Sequence, residues 1–97
     1  MEFEFDPEKS AFNKDKHGID FVEAQELWRV FGIEGRLPSG PEPRWLWIAK
    51  LDGRCWSAVF TRRSSRIRLI SVRRSRRDEV QAHDIAEREG YQPDYQP

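Results

Sequence analysis

Ninety-seven residues, 37% hydrophobic and 35% charged, allow one small domain with a modest, aromatic-rich core that draws on four Trp and six Phe. No run of about twenty apolar residues is present, which excludes a membrane-spanning helix, and a lone Cys55 excludes an internal disulfide. The formal net charge is zero, so any affinity for a polyanion has to come from how charge is distributed.

The start, "MEFEFDPEKS", is acidic and has no apolar signal region; with the single cysteine it argues against export and for a cytoplasmic protein. "MEFEF" alternates and predicts a short strand with Phe3 and Phe5 on one face. Asp6 is a good N-cap and Pro7 suits a first helical position, so a helix is expected from about Pro7 to Lys16, ended by Gly18. Asp20 with Glu23 forms a capping box before "FVEAQELWRV". There Phe21, Ala24, Leu27, Trp28 and Phe31 recur at helical spacing and predict a second helix.

"GIEGRLPSGPEP" holds three Gly and three Pro in twelve residues and reads as a loop. "RWLWIAKL" and "RCWSAVFT" flank Asp52-Gly53, a strong hairpin signal. "RIRLISVR" comes after the "RRSS" turn as a third strand of this group. Trp45, Trp47, Ala49 and Leu51 share one face of the first of these strands, and Leu46, Ile48 and Lys50 the other, so the sheet should be covered on both sides. Strict alternation in the last strand puts Arg66, Arg68, Ile70 and Val72 on one face and Ile67, Leu69, Ser71 and Arg73 on the other. Ser75 then caps a helix from about Arg76 to Glu89, stopped by Gly90, and "YQPDYQP" (91–97) reads as a flexible tail. The expectation is one α+β domain over 1–90, with a mainly antiparallel sheet and the order β-α-α-β-β-β-α.

Neutrality conceals segregation. Residues 1–53 carry seven Lys/Arg against eleven Asp/Glu; residues 54–77 carry nine Arg and no acid; residues 78–97 carry one Arg and six acids. Guanidinium groups stay charged and grip phosphate oxygens two at a time, so a nucleic-acid backbone is the natural ligand for arginines gathered at the rim of a sheet. The plainer reading pairs those arginines with the flanking acids on a solvated face, and composition alone yields only an anion binder. Trp45, Trp47 and Trp56 could stack bases, but a chain with few aliphatics needs them in its core. His17 and His83 alone titrate near neutrality. His17 also suits the end of a helix, where positive charge meets the macrodipole. Cys55, beside Trp56 in a strand, reads as buried and inert. The two histidines and one cysteine show no zinc-like spacing, so no metal or cofactor is expected.

Several of these segments fall into one pattern. Asp6-Pro7, Lys9, Asn13, Lys16-His17-Gly18, Phe21 and Glu23 form a first block. Gly53-Arg54, Thr61-Arg62, Arg66, Ile70-Ser71, Arg73-Arg74, Arg77 and Glu79 form later ones. Together they resemble the BrnT family of bacterial toxins, over about residues 3 to 84. Phe5 stands where that pattern commonly has Trp, Arg68 interrupts an apolar run, the segment 32–45 is longer, and His83 stands where Tyr is frequent.

The resemblance implies a RelE-like fold and a type II toxin–antitoxin toxin that cleaves RNA and halts growth. It further implies neutralisation by a cognate BrnA-like antitoxin, with DNA met only through the antitoxin complex. Metal-free cleavage needs the 2′-hydroxyl deprotonated, the phosphorane charge stabilised and the 5′-oxygen protonated. For these tasks the candidates are Arg62, Arg73 and Arg77 on the phosphate, His17 or His83 as proton carrier, and Glu79 as base or as the group orienting an arginine. Arg54, Arg63 and Arg74 would hold flanking phosphates of the RNA, which could be ribosome-bound. A non-catalytic basic module binding RNA, DNA or ribosome, or a toxin that retains only antitoxin binding, are the alternatives.

Overall fold

In the computed structural model, residues 1–38 and 40–90 are described; the expected tail, 91–97, lies outside them. Strand β1 spans Glu2–Glu4 and helix α1 Pro7–His17. A 3₁₀ helix, Glu23–Arg29, precedes strands β2 (Gly32–Leu37), β3 (Arg44–Leu51), β4 (Arg54–Arg63) and β5 (Arg66–Arg74), and the chain continues into helix α2 (Arg77–Glu89). The five strands form one sheet in the order β1-β5-β4-β3-β2, antiparallel except for the β1–β5 pair.

Local chemistry sets most of these boundaries. The Asp6 side chain accepts from the Glu8 N–H at 2.9 Å, and Gly18 closes α1 at φ 86°. Asp52 (φ 53°) and Gly53 (φ 78°) form a two-residue turn whose positive φ values match the right-handed twist of the hairpin it closes. The Asp20–Glu23 box is reciprocal. Asp20 Oδ1 accepts from the N–H groups of Val22 and Glu23, and Glu23 Oε1 accepts from the Asp20 N–H. The box opens a 3₁₀ helix, not the expected α-helix, and the Leu27 carbonyl of that helix is engaged by Trp47 Nε1–H at 2.8 Å.

Two further expectations are corrected. Residues 32–37 are a strand within the segment read as a loop: β2 pairs antiparallel with β3 from Gly32↔Ala49 to Leu37↔Arg44. Gly32 suits this strand because a Cβ there would stand 2.4 Å from Trp47 Cζ2. Ser75 does not cap α2. Its N–H bonds the Cys55 carbonyl at 2.9 Å, which keeps Ser75 in the sheet's extended path, and Arg76 takes the N-cap position.

Both sheet faces are covered, as the two-sided pattern of β3 requires. On one face Phe21, Ala24 and Leu27 bury Ala58, Phe60, Leu69 and Val72, with Trp28 stacked on Trp47 at 5.8 Å. On the other, Ala86 of α2, with Val80 and Ala82, covers Ile33, Leu46, Ile48 and Cys55. The tryptophans belong to the packing: Trp56 is buried, and Trp45 and Trp47 are partly buried against the first cluster.

The strict alternation read into β5 fails at a bulge. Val59 pairs with Ser71 and Phe60 with Leu69, so Ile70 is an extra residue. Val72 therefore joins Ile67 and Leu69 in the core instead of sharing a face with Arg66 and Arg68.

Beyond Arg68 the outer edge of β5 has no strand partner among the described residues, and Asn13 supplies one. Its side chain accepts from the Val72 N–H (3.1 Å) and donates to the Val72 carbonyl (2.9 Å) and the Ile19 carbonyl (2.7 Å). A buried amide thus stands in for a strand and fixes α1 to the sheet.

Candidate nucleic-acid interface

The nine arginines do not converge on one region; they divide between the two ends of β4 and β5. Arg62, Arg63 and Arg66 surround the Ser64-Ser65 turn, whereas Arg54 opens β4 and Arg73 and Arg74 close β5. Arg62 pairs with Ile67 and Arg73 with Ser57, so the two lie about five strand residues, or ~17 Å, apart along the sheet. They also face opposite sides, since Arg62 lies over the Trp45 and Phe60 rings while Arg73 reaches α2.

At the turn end each arginine has a carboxylate. Arg62 pairs with Glu34 at 2.6 Å, Arg63 with Glu42 at 3.3 Å and Arg66 with Glu2 at 3.0 Å; further along β5, Arg68 meets Glu4 at 3.5 Å. Arg66 and Arg68 stand directly opposite Glu2 and Glu4 in the β1–β5 register, so these pairs align β1. Here the plain reading of arginines balanced by flanking acids is the observed one.

The α2 end differs. Arg73 makes a two-pronged pair with Glu79, Nη1 to Oε1 at 2.8 Å and Nη2 to Oε2 at 2.9 Å. Oε1 also accepts from the Arg76 N–H at 2.7 Å and from Ser57 Oγ at 2.9 Å, and Ser57 Oγ is 2.7 Å from Ser75 Oγ. Glu79 is 2% exposed. Burial by itself would raise its pKa, but the Arg73 fork, the Arg76 N–H and the Ser57 hydroxyl outweigh burial and hold the carboxyl below its ordinary range.

At the same end of the sheet, Arg54, Arg74, Arg76 and Arg77 make no ion pair with a carboxylate among the described residues. Arg74 lies over the Trp56 ring at 5.5 Å, and Arg54 and Trp56 line a cleft of about 350 Å³ with Gly18 and Ile19, just past the end of α1, and with two acids, Glu23 and Asp52. These guanidinium groups are divided between the two faces of the sheet: Arg74, over Trp56, lies on the α1 side, and Arg73, held by Glu79 of α2, on the other.

The histidines part company as well. His17 ends α1, one turn beyond Asn13, and is half-buried in a groove beside Ile70 and Ser71. His83 is 0% exposed beneath the Phe31 ring, with Nδ1 3.0 Å from Asp84 and Nε2 unbonded. In this conformation no substrate atom can reach it. His83, Asp84 and Glu87 place ligand atoms within 4.8 Å of one another, a grouping the sequence spacing did not suggest. A cation there would compete with Lys50 Nζ, which lies 2.8 Å from Asp84 Oδ1. Cys55 is buried, and burial raises its thiol pKa.

Sequence reasoning singled out Arg54, Arg73, Arg74, Arg77 and Glu79, which the fold places at the α2 end but with Arg54 and Arg74 on one sheet face and Arg73 and Glu79 on the other, and Arg62 and Arg63, which it places at the opposite end. It missed Arg76 and the Ser57–Ser75 pair. Ser57 carried a signal, being a polar residue set between the apolar Cys55 and Val59 on one face of β4.

Fold and site together define a small α+β domain with an arginine-lined sheet end. Residues 5–79 match the family model described as ribonuclease toxin, BrnT, of type II toxin–antitoxin system. The chain belongs to that family. No curated protein matches it. Among the described residues no helix is long and apolar enough to cross a membrane.

Proposed function

We propose that this protein is an endoribonuclease that cuts RNA with side chains alone and acts in the cytoplasm as the toxin of a type II toxin–antitoxin pair. The observation that carries this reading is the contrast between the two ends of the sheet. Arginines at the turn end are matched by carboxylates, while four at the α2 end make no ion pair with a carboxylate among the described residues.

Arg73, fixed by Glu79, meets the scissile phosphate and stabilises the charge of the phosphorane. Arg77, at the start of α2, adds to that stabilisation, and Arg54, Arg74 and Arg76 hold neighbouring phosphates. Glu79 orients Arg73: its oxygens are engaged and its proton affinity is lowered, both of which disfavour a role as base. His17 carries the proton, since His83 is buried. Arg62 and Arg63 lie outside this centre. A cognate antitoxin of the BrnA kind neutralises the toxin by covering the same surface with acidic side chains, so substrate and inhibitor compete for it.

The test is induced expression with and without the neighbouring open reading frame, combined with mapping of transcript ends. Growth arrest with new, defined ends, relieved by the neighbour, is the expected result. Arrest with intact transcripts would leave a module that blocks RNA or ribosome by charge alone.

A further inference from the structure

A second groove runs between α1 and the outer edge of β5. Phe12 stands on its rim and is 67% exposed, an unusual position for an aromatic ring on a helix whose buried residues, Ser10 and Asn13, are both polar. The β5 bulge supplies Ile70 as the extra residue, and Ile70 lines the same groove. Around this apolar pair stand Lys9, Lys16 and His17, with Lys16 Nζ 6.0 Å from the Phe12 ring centre; the lining contains no carboxylate. Neither aromatic burial nor charge pairing accounts for the combination. The Phe12 ring gains little from the core, and the cations that line the groove with it meet no acid there. An exposed aromatic face ringed by cations is what a nucleobase with its phosphates requires, because every base offers a π-face and every linkage a negative charge.

We propose that this groove binds one nucleotide of single-stranded RNA, its base stacked on Phe12 above Ile70 and its phosphates on Lys9 and Lys16. The inference rests on the RNA-cleaving function proposed for the α2 end and extends it. His17 belongs to this groove and Gly18 to the Arg54 cleft, so the strand would cross the end of α1 and present its next linkage to the arginines. The ligand class is single-stranded RNA and not duplex, since a stacked base must be free of its partner.

Binding is measured by fluorescence anisotropy with a labelled 2′-O-methyl RNA oligonucleotide, which cannot be cut and so separates binding from cleavage. Phe12→Ala is expected to weaken binding roughly 5- to 150-fold, the equivalent of one lost stacking contact. Phe12→Tyr should retain it, and Val22→Ala, an exposed apolar residue elsewhere, should leave it unchanged. Circular dichroism melts confirm that each variant folds. Unchanged affinity in Phe12→Ala overturns the proposal. So does Phe12→Leu binding as tightly as Phe12→Tyr, which would mean apolar contact without stacking, or a groove that takes a glutamate-rich peptide and no RNA. Transcript cleavage surviving with unaltered binding in Phe12→Ala removes the stacking site and spares the nuclease reading. Stacking-dependent binding by a wild-type protein that cuts nothing does the reverse.

Discussion

Glu79 couples charge to fold more tightly than any other single side chain at the α2 end, because one buried carboxylate holds Arg73, the Arg76 N–H and Ser57 together. Removing one partner of such a pair leaves the other charge buried, a change that typically costs ~3–5 kcal/mol. Glu79→Gln is therefore expected to lower stability by about 3 kcal/mol near neutral pH, as read by urea unfolding. The lowered pKa sets the pH dependence. A carboxyl that ionises below its ordinary value of 4.5 when folded contributes its full stabilisation above that value and loses it as pH falls further. The gap between wild type and Glu79→Gln should hold constant from about pH 5 to 8 and close below about pH 4.5; a gap that widened in acid would contradict the clamp. Arg73→Lys keeps the charge against Glu79 but gives up the fork. It should fold while losing most RNA cleavage, measured by transcript-end mapping.

Among the elements, α1 depends on Asn13 more than on apolar contact. Its amide satisfies both backbone groups of Val72 and the Ile19 carbonyl, all buried. Each buried polar group left without a partner costs ~1–3 kcal/mol, so Asn13→Ala should destabilise the protein by several kcal/mol. Hydrogen exchange at the Val72 amide should rise more than exchange in β3, where the ladder is intact. This gives Asn13 a structural reason to be in the pattern that pointed to the family. Gly32→Ala tests β2 in the same way. The added methyl meets Trp47 and the Ile48 carbonyl inside 3 Å, and overpacking of this kind costs ~1–3 kcal/mol.

Across the whole molecule the charge pattern gives an experiment that contrasts the two sheet ends. Binding to single-stranded RNA weakens with salt by a slope of ~0.7 per phosphate contacted. Arg54→Ala, Arg74→Ala and Arg77→Ala should each reduce the slope for uncuttable RNA by roughly that amount. Arg66→Ala, at the turn end and already matched by Glu2, should leave the slope unchanged. An equal reduction from Arg66→Ala would mean that the exposed pairs, worth only ~0–1 kcal/mol each, yield to the substrate and that the whole arginine set binds it.

Sequence by itself determined the features that depend on neighbours in the chain. The Asp6 cap, the Gly18 and Gly90 stops, the Asp20–Glu23 box and the Asp52-Gly53 turn are settled within a few residues, and each forms as read. The two-sided pattern of β3 announced a sheet covered on both faces, and the family blocks were legible because they are patterns of sequence. Only the tertiary structure decided what depends on distant partners. Gly and Pro made residues 32–43 read as a loop, yet pairing with β3 and the packing of Trp47 on Gly32 draw 32–37 into a strand. One extra residue at Ile70 reversed the assignment of Val72, and no local signal marks a bulge that arises from the match of two strands. Composition likewise could not separate nine arginines into five with carboxylates and four without, among the described residues. Two of those carboxylates, Glu2 and Glu4, lie 64 residues from their arginines, and only the folded chain brings them within reach.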